Sequence, residues 1–295
     1  MDWWILYFLL NGGNEWWTYP LLGGMTVFTG IIASMLGVGG GFLNVPLINY
    51  LGNEPINVAI GTSLFIIVFT SLSSTLGYAR KGVIDFKLGL VLETASIPGA
   101  FLGAYLTGWI PENILKAIFG VALIIIGINM IFKNQKENLT QEELSEKRRT
   151  VRGRVLNWRR VTRLATGESY EYNINVPLGL TFSFVAGLAS GLLGIGGGIV
   201  KVPLLHVALG VPMIITVATS MFMIIFTTLI GTFEHSMLGH VNWQIGIAMI
   251  IGAIIGTQIG CRITLKISPS LLRKIFGGGV VILAAQMIYT ALISL

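Results

Sequence analysis

Charge is scarce in this 295-residue chain: 11% of its residues are Asp, Glu, Lys or Arg, against 54% hydrophobic residues. No Lys or Arg occurs before Arg80. With a mean hydropathy of +0.79, that poverty of charge excludes an ordinary soluble domain and points to lipid as the solvent. Cysteine occurs once, Cys261, inside an apolar run, so neither a disulfide framework nor a cysteine-rich metal site is available. Histidine occurs three times. Glu234, His235 and His240 cluster but offer too few ligands for a metal centre, and His206 reads as packed or hydrogen-bonded. An intramembrane enzyme would need a converging nucleophile, base or metal set, so no catalytic residues, metal or other cofactor are expected.

A basic start is missing too. The opening MDWWILYFLL carries an acid where a secretory leader carries cations, and ten residues cannot span a bilayer. With Trp3, Trp4, Trp16, Trp17 and Tyr19 close by, residues 1–19 read as a collar at the headgroup level. The formal charge of +6 does not argue for nucleic acid, because 10 basic and 6 acidic residues are gathered between Lys133 and Glu171. That stretch reads as one solvated loop. Within it, Thr140 and Glu143 have the spacing of a capping box, and TRLATGESYEYNIN places a Gly turn between β-prone runs. Its basic half suits anionic lipid headgroups.

What the chain has in abundance is apolar runs and glycine. The runs recur from 21–36 to 271–293, several of them near the roughly 20 residues that a crossing helix needs. The expected architecture is all-α and polytopic, with about 8–10 membrane segments. A shift of 157 residues lays 30–132 on 187–289 without a gap, with about thirty identities among 103 pairs. Gly30 falls on Gly187, Pro46 on Pro203, Pro55 on Pro212, and Thr62-Ser63 on Thr219-Ser220. A constant register of glycines and prolines marks a duplication.

Basic residues orient the copies. Arg80, Lys81 and Lys87 flank a turn whose counterpart at 237–244 has no Lys or Arg, whereas Arg262, Lys266, Arg273 and Lys274 stand opposite a stretch holding only Lys116. The bias reverses, so the expected topology is two inverted repeats, 20–132 and 176–295, joined by a cytoplasmic segment at 133–175, with both termini external.

The stretch GVGGGFLNVP at 37–46 returns as GIGGGIVKVP at 194–203. Gly37, Gly39, Gly40 and Gly41, and Gly194, Gly196, Gly197 and Gly198, make a continuous helix costly at about 1 kcal/mol per interior glycine. Each copy therefore predicts a break followed by a half-length helix, 42–52 and from Ile199 to Pro212. Non-helical backbone at membrane depth survives only inside protein or against a watery cavity. Two inverted helix starts, with their unpaired N–H groups, would converge on one central anion site. The competing reading is that the glycines permit close helix packing.

Lys201 lies in the second half-helix where the first copy has Asn44; a buried cation there suits an anion, although Lys can also snorkel or pair structurally. Thr62, Ser63, Thr219 and Ser220 could give hydroxyls to substrate oxygens or to backbone. Glu93 lies roughly 10 Å into a helix starting near Phe86, and its counterpart is Ile250. It is a candidate for proton coupling or for a structural ion pair.

The doubled G-x-G-G-G, each followed by a short segment holding V-P and by T-S in the next helix, resembles the TauE/SafE family of sulfite exporters and related anion permeases. The resemblance covers the membrane part. It implies transport of sulfite, sulfonates or other small organosulfur and carboxylate anions, often outward; the expected partners are the bilayer and a small anion, with a coupling proton suggested by Glu93. An anion channel, or an importer of thiosulfate or a short carboxylate, is the alternative. A receptor or scaffold leaves the doubled helix break unexplained.

Overall fold

A computed structural model describes residues 17–111, 113–115, 117–121, 124, 157–163 and 169–263. Residues 1–16 of the expected aromatic collar at 1–19, the capping-box spacing at 140–143, and Lys266, Arg273 and Lys274 lie outside the described residues.

Helix α1 runs Thr18–Leu36, α2 Gly41–Tyr50, α3 Ile56–Ala79 and α4 Phe86–Thr107. An antiparallel hairpin follows, β1 Asn157–Arg163 and β2 Ser169–Asn175, in a register that sets Arg160 opposite Tyr172. Then come α5 Val176–Leu193, α6 Gly198–Pro203 with a π-helical continuation Leu204–Ala208, α7 Met213–Met237 and α8 Trp243–Ile263. Six of these, α1, α3, α4, α5, α7 and α8, are long and apolar enough to cross a membrane.

The starts of α2, α3 and α4 at 41, 56 and 86 become those of α6, α7 and α8 at 198, 213 and 243 under the same shift of 157. The local causes repeat as well. Left-handed Gly37 and Gly194 end α1 and α5, and Pro55 and Pro212 precede α3 and α7 in extended conformation. The two strands fall on the β-prone runs to either side of Gly167, which itself lies outside the described residues, and β2 runs directly into Asn175, whose side chain accepts from Leu178 N and caps α5.

Packing is reciprocal between the halves. Helix α1 lies against α8, and α4 against α5, each pair closing through small residues. A Cβ on Gly30 would sit 2.6 Å from Ala253 O; one on Gly187, its counterpart, would strike Ser96 O. Gly99 and Gly103 face Phe184 and Leu188 backbone as Gly256 and Gly260 face Val27 and Ile31. Helices α3 and α7 pack together in the centre, while Phe28, Leu76, Trp109, Val185, Phe233 and Ile251 are exposed on the outer faces. Large apolar residues outside and hydroxyl-bearing ones inside suit a protein dissolved in hydrocarbon, which has no reason to drive Leu or Phe inward.

Candidate functional site

Two glycine loops meet at the centre of the bundle. Gly37, Gly39 and Gly40 have φ of 71°, 89° and 88°, and Gly194, Gly196 and Gly197 have 67°, 73° and 74°. L-residues pay about 1–2 kcal/mol in that left-handed region, which explains the composition of both runs. The helices that follow start at the loops: Leu43 N and Asn44 N bond to Gly40 O, and Val200 N and Lys201 N to Gly197 O. The N–H groups before these have no partner within the helix, so each loop presents a nest of positive backbone dipoles.

The loops touch each other. A Cβ on Gly198 would lie 2.5 Å from Val38 Cα, and one on Gly41 would lie 2.7 Å from Ile195 Cα. Gly39 and Gly196 both rest on the side chains of Ile67 and Ile224. Serine stitches the contact from both sides: Ser63 Oγ donates to Gly194 O at 2.9 Å and Ser220 Oγ to Gly37 O at 2.7 Å. Their neighbours accept from the turns beyond, Thr62 Oγ1 from Asn242 N at 2.8 Å and Thr219 Oγ1 from Asp85 N at 3.0 Å. All four hydroxyls thus serve backbone of the other half, the glycine loop for each serine and the turn before α4 or α8 for each threonine.

The two positions that break the symmetry lie one turn further on. Asn44 is buried and its Oδ1 accepts from Thr29 Oγ1 at 2.9 Å. Lys201, fully buried, gives Nζ to Glu93 Oε1 at 2.5 Å and to Thr227 Oγ1 at 3.0 Å. The nominated cation and the nominated acid are therefore direct partners, joined across α4 and α6 by the fold. Thr227 was missed in the sequence, although Thr70 stands at the equivalent place and the identity was a usable signal.

A second cluster was also missed. Asp85, 2% exposed, caps α4 by accepting from Leu88 N at 3.1 Å. It takes Arg160 on both oxygens, Nη2 to Oδ1 at 2.5 Å and Nε to Oδ2 at 3.0 Å, together with the Tyr172 hydroxyl at 2.6 Å. The hairpin is thereby clamped to the membrane bundle. Burial works against the Asp85 charge, but the bonds from Arg160, Tyr172 and Leu88 N outweigh it and hold the pKa below its usual 3.8. Burial and the Asp85 bond push the Tyr172 hydroxyl upward. A carboxylate with a depressed folded-state pKa contributes stability that is complete above its unfolded value and is lost as pH falls through the folded one. The clamp is therefore expected to hold throughout neutral pH. Asp85→Asn is expected to weaken hairpin docking by about 2 kcal/mol, visible at neutral pH as faster tryptic cleavage after Arg159, Arg160 and Arg163; unchanged cleavage would count against the clamp.

The remaining candidates take structural partners. His235 Nε2 meets Gly191 O at 3.1 Å, as Tyr78 OH meets Ser34 O at 2.8 Å in the equivalent place. His206 Nδ1 meets Val211 O at 2.9 Å. Among the described residues no three His, Cys, Asp or Glu side chains gather as metal ligands would.

Broken helices meeting at mid-bundle and, among the described residues, six apolar spans and a fully buried ion pair define a multi-pass membrane protein of the transporter type. The chain belongs to the sulfite exporter TauE/SafE family, whose model matches residues 22–287. It is 31% identical over 284 residues to the probable membrane transporter protein YunE of Bacillus subtilis, covering 94% of this chain and 100% of that one. It is 27% identical over 269 residues to a probable membrane transporter protein of Xylella fastidiosa, covering 90% and 93%. Sulfite exporter TauE/SafE family protein 6 of Arabidopsis thaliana is 23% identical over 340 residues, covering 91% and 78%. No solved structure matches the chain.

Proposed function

We propose that this chain carries sulfite or a small organosulfonate outward across the membrane, by alternating access of two inverted repeats about a central anion site. The observation that carries the reading is the reciprocity at the glycine loops, where Ser63 holds Gly194 and Ser220 holds Gly37. A pair of half-helices whose starts abut across a pseudo-two-fold suits a carrier, because one rocking motion acts on both ends of the site. The family match to sulfite exporters supports the substrate class.

In this reading the anion enters when the loops part. The N–H groups at the starts of α2 and α6 then face it, and Ser63, Ser220, Thr62 and Thr219 supply hydroxyls from either side. Asn44 contributes an amide and Lys201 the single positive charge. The hairpin clamped at Asp85 lies on the cytoplasmic face, in agreement with the basic residues around it, and both termini lie outside.

The test is transport by purified protein in liposomes loaded with sulfite, sulfoacetate, thiosulfate or a short carboxylate. Release that saturates and is accelerated by anion on the opposite side is the expected result. Linear, rapid currents would replace the carrier with a channel, and release confined to carboxylates would move the substrate class.

A further inference from the structure

Within the apolar body the two charges of the candidate site come as a pair. Lys201 and Glu93 are 0% and 2% exposed at the side chain, and both of their repeat counterparts, Asn44 and Ile250, are uncharged. Neither charge occurs without the other. The pair is also not saturated. An ammonium has three donors, of which Glu93 Oε1 and Thr227 Oγ1 take two. Glu93 Oε2 is buried with no hydrogen-bond partner among the described residues. The hydroxyl nearly one turn along, Ser96, gives its proton to Ser183 O at 3.0 Å.

We propose that the Glu93 carboxylate is a resident stand-in for the transported anion: the two compete for Lys201, and one proton moves with each negative charge carried. This rests on the anion-carrier reading above and deepens it. Four states of the site can be written. Lys201 cation with Glu93 carboxylate is neutral, and so is Lys201 cation with protonated Glu93 and a bound monoanion. Protonation without the anion leaves a net positive charge, and the anion without protonation leaves a net negative one. An uncompensated buried ion costs several kcal/mol, so the two unbalanced states are sparsely populated and proton and anion bind as a unit. On binding, the Nζ to Oε1 bond is replaced by one from Nζ to the anion, the proton is held on the Glu93 carboxyl, and Thr227 keeps its place. On release both leave and the internal pair re-forms.

The stoichiometry also names the substrate class. One cation against one carboxylate balances a monoanion, so hydrogensulfite or a monosulfonate is taken in preference to a dianion. Other ionisable groups stand apart from the pair. Helix α5 has none; on α7, Glu234 and His235 come two turns after Thr227; on α4, Lys87 and Tyr105 are exposed; His206 is bonded to Val211 O, and Asp85 to Arg160 and Tyr172.

The test uses methanesulfonate, which does not titrate near neutral pH, with full-length protein in detergent and in liposomes. For the native protein its affinity is expected to fall about tenfold per pH unit wherever Glu93 is ionised in the empty site, and its inward flux to acidify a trapped dye. Glu93→Gln, a permanent mimic of the protonated state, is expected to bind methanesulfonate independently of pH, to carry no proton, and to be stabilised by methanesulfonate or chloride more than the native protein is. Lys201→Asn/Glu93→Ile supplies a neutral baseline with no anion response. The same pH slope in native protein and Glu93→Gln would overturn the proposal, as would a Glu93→Gln variant that no anion stabilises or that cannot be purified even with methanesulfonate present. If chloride stabilises Glu93→Gln but no sulfur oxyanion crosses the native membrane, the competition stands and the substrate reading falls.

Discussion

Lys201→Met is expected to cost about 3–5 kcal/mol of stability, one of the largest effects available from a single side chain here. The reason is what it leaves behind. Glu93 sits 2% exposed with Lys201 on one oxygen and no partner among the described residues on the other, so deleting the ammonium strands a carboxylate in a dry site. Thr227 Oγ1 does not rescue it, since that hydroxyl already faces Met223 O and Ile224 O at 3.3 and 3.2 Å. Changing both members together should cost far less, because a buried ion pair contributes little once its desolvation is counted. Lys201→Asn/Glu93→Ile copies the combination that the first repeat already tolerates at Asn44 and Ile250. It is expected to regain most of the melting temperature in detergent while losing anion transport by about a hundredfold, the equivalent of roughly 3 kcal/mol. A single variant as stable as the native protein would show that Glu93 is not held by Lys201. A double variant with native transport would remove both residues from the site.

Much of this was legible from spacing. The 157-residue register predicted the repetition of elements, because glycines that must be left-handed and prolines that must begin a helix leave the same mark in both copies. The helix breaks at Gly37–Gly41 and Gly194–Gly198 followed from propensity alone, and α2 ends at Tyr50, two residues short of its expected limit. Contacts between distant elements were not legible in this way. Lys201 and Glu93 were each singled out for being charged in an apolar run, but 108 residues separate them, and only the packing of α4 and α6 around α5 and α7 joins them. The serines illustrate the same limit. Their place beside the glycine motif was evident, whereas the crossing of Ser63 to Gly194 and of Ser220 to Gly37 depends on how the copies interlock. Asp85 left no signal, because an acid before a helix reads as an N-cap, and its clasp on Arg160 required knowing where the hairpin lands.

Alanine at three glycines should separate backbone strain from steric contact. Gly210 has φ of 68° with nothing within 4 Å of a built Cβ, so Gly210→Ala pays only the left-handed penalty, about 1 kcal/mol. Gly198 has no positive φ, yet its Cβ would fall 2.5 Å from Val38 Cα and 2.6 Å from Gly37 O. Those are backbone atoms of the opposite loop, which cannot swing aside as a side chain end can, and overpacking of that kind costs about 1–3 kcal/mol. Gly194 combines both, with φ of 67° and Ile60 Cα and O each 2.9 Å away, and is expected to be the most damaging at about 2–5 kcal/mol. Melting temperatures should fall in the order Gly210→Ala, Gly198→Ala, Gly194→Ala, and transport should survive only the first. The informative variant is Gly198→Ala, because its methyl group lies between the two repeats and carries no left-handed penalty. If the loops separate during transport, the methyl disfavours the closed contact more than the open one, and exchange should slow more than the loss of stability accounts for. Equal losses of stability at Gly210 and Gly198 would mean that the loops do not meet, and the reciprocity on which a shared central site depends would go with them.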